Sequence, residues 1–169
     1  QRTYIEKVKH TFGTIPQRTY HTPMESGFDP TIDEKGDCVK DSVPYGQLIG
    51  VLLYLCQLRY DIVYAVHLLA GYIQTCQWKH WVAAKRIFFY IGGTSDYVLV
   101  LGKRNSVPLE AYADASFARE AKLRSRSGGL LQYFGSTISV ISSVQRLISM
   151  SSAEAEYICL NDVARLSLF

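Results

Sequence analysis

Tyr112-Ala113-Asp114-Ala115-Ser116-Phe117-Ala118 and, further on, Ser151-Ser152-Ala153-Glu154-Ala155-Glu156-Tyr157 bracket the stretch that decides how this chain folds. Leu109 to Ala115 reads as a strand carrying Asp114 near its end. Gly128 to Phe134 and Thr137 to Ser142 alternate apolar and small polar residues, and Gly135-Ser136 between them is a two-residue hairpin signal. Ser151 or Ser152 caps a closing helix, with Glu154 in the first turn where the helix dipole favours a negative charge. A carboxylate on a first strand, a hairpin, and then a glutamate on the first turns of a helix can bring two acidic groups together. Paired carboxylates over a sheet suit a divalent cation and phosphodiester chemistry.

Immediately outward, Tyr97 to Leu101 is an apolar, β-branched run that reads as extended. Gly102 to Pro108 is a polar turn. Arg119 to Ser127 reads as an irregular basic segment, with Arg119, Lys122, Arg124 and Arg126. Gln145 to Ser149 extends the second hairpin strand. Upstream of Gly92-Gly93 the period is helical instead. Gln1 to Phe12 places Tyr4, Ile5, Val8 and Phe12 on one side. Thr14 to Asp41 is a long loop rich in proline and glycine.

Ser42, with Pro44 behind it, opens a helix over Tyr45 to Gln57 that is apolar almost all round and therefore expected to be buried on several sides. Asp61 opens a second helix, to Ile73, and the short break between the two makes a helical hairpin. The next helix, Trp78 to Ile91, has two faces. Trp78, Trp81, Val82, Phe88 and Phe89 form an aromatic face expected in the core. Lys79, Ala83, Arg86 and Tyr90 form the opposite stripe, and its basic residues can follow a phosphate backbone.

The 169 residues suffice for one domain or parts of two. A hydrophobic fraction of 48% with 20% charged residues excludes a disordered chain. Eighteen basic residues against fifteen acidic ones give +3, compatible with nucleic acid without demanding it. The four cysteines form no CxxC pair, which argues against a disulfide framework or zinc ribbon and for an intracellular protein, cytoplasmic or nuclear. His67, Cys76 and His80 match no zinc-finger spacing. The apolar run Leu48 to Cys56 is too short to span a bilayer, so no membrane partner is expected. The absence of an initial methionine suggests a piece of a longer protein.

Taken in order, these segments resemble the pol polyprotein of copia-type LTR retrotransposons. The resemblance rests on Gln1 to Lys7, Thr22-Pro23-Met24, Tyr45 to Leu55, Asp61 to Val66, His80 to Arg86 and Tyr90 to Thr94. In the second half it rests on Tyr112 to Ala115, Ser125 to Gly129 and Ser151 to Tyr157. It implies an α+β chain. Residues 1–95 would be the helical C-terminal, thumb- or connection-like part of a reverse transcriptase. Residues 96–169 would be the start of a ribonuclease H-like domain, an antiparallel three-stranded sheet plus a helix.

The resemblance further implies cleavage of RNA in RNA–DNA hybrids by a two-magnesium mechanism, with Asp114 and Glu156 as inherited metal ligands and catalytic groups. Lys79, Arg86, Arg124 and Arg126 are the expected nucleic-acid contacts. The expected partners are a hybrid, or other nucleic acid, and the remainder of the polyprotein. Glu154 lies two residues from Glu156 and so on another face, as a solvated charge. The family's further carboxylates belong to later strands. Asp162 sits on the helix and does not replace them.

This chain departs from the family at two places. Asp114-Ala115-Ser116-Phe117-Ala118 stands where the pattern has Asp-Ala-Asp-Trp-Ala, and Leu58-Arg59-Tyr60-Asp61 stands for Thr-Arg-Pro-Asp. No Tyr-x-Asp-Asp polymerase motif occurs. The expectation is a chain inactive by itself, prone to self-association through uncovered sheet edges, or a non-catalytic binding module.

Overall fold

Helical periodicity gives way to strand alternation between Gly93, where the last helix of the first half ends, and Leu109, where the first strand begins. A computed structural model describes residues 2–13, 20–102, 106–120 and 123–168, excepting the side chains of 119 and 120. Gln1, residues 14–19 of the predicted loop, Lys122, the Arg119 side chain and Phe169 fall outside the described residues. The chain forms two units, Gln1–Val98 and Leu99–Phe169.

The first unit holds α1 (Arg2–Phe12), α2 (Tyr45–Leu55), a 3-10 turn (Tyr60–Ile62), α3 (Val63–Ala70) and α4 (Trp78–Gly93). The helix expected from Asp61 to Ile73 is thus shorter and begins as a 3-10 turn. Its last residue is Ala70, and Gly71 follows as the C-cap. Ser42 is not the cap of α2. Pro44 occupies that position, and no side chain caps it.

Leu48, Ile49, Leu52 and Leu55 of α2 are buried, but Leu53 and Tyr54 are exposed, so burial is less complete than its all-round apolarity implied. In α4 the buried residues are His80, Trp81, Ala83, Ala84, Ile87, Phe88, Tyr90 and Ile91. The expected core face is therefore rotated. Trp78 and Val82 face outward at 61% and 52% exposure, while Ala83 and Tyr90 of the expected polar stripe are inside. The reason is packing on both flanks. The Gly-free run from Trp81 to Ile91 meets α2 and α3, and the 20–36 loop is held on the other side.

That loop is held by polar groups at the start of α4. Gln77 Oε1 accepts from the Asp33 N–H at 2.9 Å, and Gln77 Nε2 donates to the Asp33 and Gly36 carbonyls at 2.7 and 2.9 Å. His80, fully buried, accepts from the Gln77 N–H at Nδ1 (2.9 Å). Its Nε2 lies 2.8 Å from the Pro30 carbonyl. An acceptor at Nδ1 and a carbonyl at Nε2 require the neutral Nε2–H tautomer.

Burial pushes the His80 pKa down. The bond to Pro30 opposes this and the Lys79 charge adds to it, leaving the value below 6.5. The folded state then binds fewer protons than the unfolded one. The stabilisation is complete above about pH 6.5 and is lost as pH falls through the folded value. Both tryptophans lie in α4, so urea midpoints read by tryptophan fluorescence are expected to fall from pH 7.5 to 5. A midpoint that is flat or rises on acidification contradicts this assignment.

The second unit is one antiparallel sheet in the order β1 (Leu109–Glu120), β2 (Arg124–Tyr133), β3 (Ser136–Val144), followed by α5 (Ser152–Leu166). The coarse α+β expectation, an antiparallel three-stranded sheet plus a helix, agrees with this. Several details differ. β1 runs on to Glu120, and Arg124 to Ser127, expected irregular, are already β2. The ladder explains both: Ser116 pairs Arg126 and Glu120 pairs Arg124, with a bulge between. The hairpin turn is Phe134-Gly135 at φ 46° and 75°, one residue earlier than expected. Two positive φ values are what a right-twisted two-residue hairpin needs.

Residues 97–101, read as extended, pair with no strand among the described residues. The Tyr97 N–H turns back to the Thr94 carbonyl at 3.1 Å, and Val98 is exposed. The Gln145 N–H still donates to the Ser125 carbonyl of β2 at 2.8 Å, and residues 146–149 then leave the sheet. Gln145 is buried and donates from Nε2 to Ser127 Oγ and the Ala155 carbonyl, tying the β3–α5 connection down.

Candidate functional site

α5 begins as the sequence implies. Ser151 Oγ accepts from the Glu154 N–H at 3.1 Å, and Glu154 Oε2 accepts from the Met150 N–H at 2.7 Å. Glu154 is thus a capping group as well as an exposed charge. The helix lies across β1 and β2. Cys159 Sγ sits 3.0 and 3.2 Å from the Asp114 and Gly128 carbonyls, and Ser127 Oγ donates to Asp162 at 2.9 Å.

This seating carries Glu156 to β1. Its Oε1 accepts from the Ala115 N–H, next to Asp114, at 3.3 Å. In the order β1-β2-β3, β1 is an edge strand, so the Glu156 carboxylate meets that free edge. Asp114 is paired in register with Gly128 and is exposed, as is Glu156. Glu156 is therefore anchored on the β1 backbone one residue past Asp114, while Asp114 pairs with Gly128 and, since Ser127 and Gly129 face α5, its side chain lies on the sheet face away from that helix. Asp162 is engaged with Ser127 instead.

Hard cations take carboxylate oxygens, so Asp114 and Glu156 match magnesium in kind. They do not match it in number. Among the described residues no group of three or more His, Cys, Asp or Glu side chains stands together to hold an ion. One Glu156 oxygen already accepts a backbone proton. A two-ion centre is not supported by this donor set.

The four basic residues singled out by sequence have different surroundings. Arg126 is 6% exposed, and its Nη1 donates to Ser142 Oγ at 3.2 Å. Arg124 stands opposite Glu120 on β2, and its buried Nε has no hydrogen-bond partner. Arg86 donates from Nη2 to Thr22 Oγ1 (3.1 Å) and lies 4.5 Å over the Tyr20 ring. Lys79 and Arg86 line one groove of 720 Å³ beside α4.

Sequence reasoning missed what surrounds them. Lys85, Tyr20, Phe28 and the outward Trp78 line the same groove. Lys85 was visible as a third cation at helical spacing. The loop aromatics gave no signal, because only the Gln77–His80 clamp brings the loop to the helix.

A second cluster also escaped notice. Arg59, buried, grips both oxygens of Asp61 (Nε–Oδ1 2.9 Å, Nη2–Oδ2 2.7 Å), and the Tyr90 hydroxyl donates to Asp61 Oδ2 at 2.7 Å. Burial alone pushes the Asp61 carboxyl up. The Arg59 and Tyr90 hydrogen bonds and the Arg59 charge outweigh it and hold the value below the ordinary one. Its signal was an Arg-x-Asp just ahead of an apolar helix.

No family model matches the chain, and no solved structure matches it significantly. It is similar to the retrovirus-related Pol polyprotein from transposon TNT 1-94 of Nicotiana tabacum, 32% identical over 98% of this chain. It is also similar to that from transposon RE2 of Arabidopsis thaliana, 33% identical over 93% of this chain. It spans only 13% and 11% of their lengths. A secreted RxLR effector protein, 161, of Plasmopara viticola is 32% identical over 73% of this chain and 89% of its own length.

Proposed function

The chain belongs to the copia-type retrovirus-related Pol polyprotein family, and on that premise we propose that it is the junction of a reverse transcriptase and a ribonuclease H, contributing nucleic-acid contacts and part of a hydrolytic site. Gln1–Val98 would be the helical end of the polymerase, and Leu99–Phe169 the opening of the ribonuclease H-like fold. The observation that carries this reading is the Glu156–Ala115 hydrogen bond, which anchors a helix carboxylate on the strand backbone one residue past Asp114. Lys79 and Arg86 on α4 and Arg124 on β2 would contact phosphates.

Two carboxylates leave a two-ion hydrolysis unsupported, so the chain by itself is proposed to bind nucleic acid without cutting it. Incubation with a labelled RNA–DNA hybrid and magnesium is expected to give no product above background. Cleavage that disappears in Asp114→Asn would overturn the proposed inactivity and establish a working site. Hybrid binding is expected to weaken with salt.

A further inference from the structure

The groove beside α4 has properties that phosphate contacts alone do not require. It is walled by aromatic faces: Trp78 at the rim, Trp81 and Phe89 from the helix, and Tyr20 and Phe28 from the loop. Its cations lie on those faces. Lys85 Nζ is 5.8 Å from the Trp81 ring centre and 5.3 Å from that of Phe89, and the Arg86 guanidinium covers Tyr20. Arg86 Nε is buried without a hydrogen-bond partner. Leaving a tryptophan 61% exposed at the rim of such a groove forgoes its burial.

We infer that this groove takes an unpaired, single-stranded segment of nucleic acid, with a base stacked on the exposed Trp78 ring at its rim and phosphates met by Lys79, Lys85 and Arg86. This rests on the nucleic-acid reading above and deepens it. Stacking needs a free base face, and a duplex has none to offer because its bases are stacked on each other. A duplex also presents a convex phosphate surface, whereas 720 Å³ is a recess of ligand size.

Two acidic residues, Glu25 and Asp29, also line the groove, and they temper rather than cancel its charge. Asp29 is occupied by Thr31, whose N–H and hydroxyl both donate to it at 2.9 Å. The hydrogen bonds from Thr31, with a smaller effect of Lys79, hold its pKa below the ordinary value. A carboxylate next to aromatic walls is also an acceptor for exocyclic base amino groups. That favours bases over simple anions as the occupant.

The test uses the full chain and fluorescein-labelled oligonucleotides in anisotropy titrations at low and moderate salt. The probes are a mixed-sequence single-stranded DNA of twelve nucleotides, the same sequence as a DNA duplex, and an RNA–DNA hybrid. The single strand is expected to bind at least roughly tenfold tighter than either duplex and to quench tryptophan fluorescence. Trp78→Ala, an exposed position, is expected to weaken single-strand binding roughly tenfold and leave duplex binding unchanged. Lys85→Ala is expected to weaken it too and to lower its salt dependence.

Hybrid binding equal to or tighter than single-strand binding, with Trp78→Ala silent, overturns the groove assignment and leaves the proposed function standing. Failure to bind any of the three probes overturns both. Concentration-dependent self-association in sedimentation, abolished by Trp78→Ala, would mark the groove as a protein interface and also overturns the inference.

Discussion

Arg59→Ala is expected to lower the stability of the helical unit by about 3 kcal/mol, the lower end of what removal of one partner from a buried ion pair costs. Arg59 donates to both oxygens of Asp61, to the Thr94 carbonyl at 3.0 Å and to Thr94 Oγ1 at 2.7 Å. The guanidinium also stands 5.4 Å over the rings of Tyr90 and Tyr97. Alanine leaves the Asp61 carboxylate and the Thr94 carbonyl without those donors. The Asp61 side chain is 36% exposed, so water recovers part of the loss, which is why the estimate stays at the low end.

A domain of ordinary stability, about 5–15 kcal/mol, would survive with a shallow margin. Tyr90→Phe removes one hydrogen bond to Asp61 and is expected to cost about 1 kcal/mol. Arg59→Lys loses the two-pronged grip and is expected to fall between them. Urea titration read by tryptophan fluorescence measures all three. An Arg59→Ala midpoint equal to that of the native chain would show the network to be incidental. The lowered Asp61 pKa gives an independent sign: its contribution is present above the ordinary carboxyl value and is lost as pH falls through the lower folded value.

In the second unit the largest effect is expected at Gly129→Val. A Cβ there would stand 2.4 Å from Val163 Cγ2 and 2.8 Å from Ile141 Cγ1. Neither neighbour can yield freely, since Val163 is a buried residue of α5 and Ile141 is a strand residue. α5 must lift from the sheet, and the expected cost is about 3 kcal/mol, the upper range for overpacking. Gly129→Ala introduces the same Cβ with less bulk and is expected to cost about 2 kcal/mol.

Gly128→Ala is the control. Its Cβ would meet only the Asp114 carbonyl oxygen, at 3.4 Å, so the expected cost is under about 1 kcal/mol. Because neither tryptophan lies in this unit, hydrogen exchange of the α5 amides is the suitable readout. Equal protection in Gly128→Ala and Gly129→Ala would refute the seating of α5. Loss of that seating also withdraws Glu156 from Ala115, so the same substitution tests whether the Glu156 anchor on β1 depends on helix packing.

Much of the second unit could be read in advance because its elements are local. Alternation in Leu109–Ala115 and Thr137–Ser142, the Ser151 cap and the Glu156 position each depend on residues close in sequence. Where the reading failed, a distant partner decided. Arg124 to Ser127 look like a basic loop until β1 offers a ladder to pair with. Residues 97–101 look like a strand, but among the described residues they pair with no strand, and Tyr97 turns to Arg59 instead. In α4 the apolar residues run nearly round the helix, so periodicity does not choose between Trp78 and Ala83 as core. Packing against α2 and α3 made that choice.

By itself, then, the order of motifs determined the family and the coarse α+β plan, because motif order survives in the one-dimensional chain. It also named Asp114 and Glu156, whose spacing places them on a strand and on the helix after the hairpin. Only the tertiary structure decided that Glu156 reaches the β1 edge, that Arg126 is buried, and that Lys79 and Arg86 share an aromatic groove with Tyr20 and Phe28. Each of these depends on the meeting of segments far apart in sequence. Such meetings are set by buried shape and by hydrogen bonds such as those of Gln77 and His80, which no local pattern encodes.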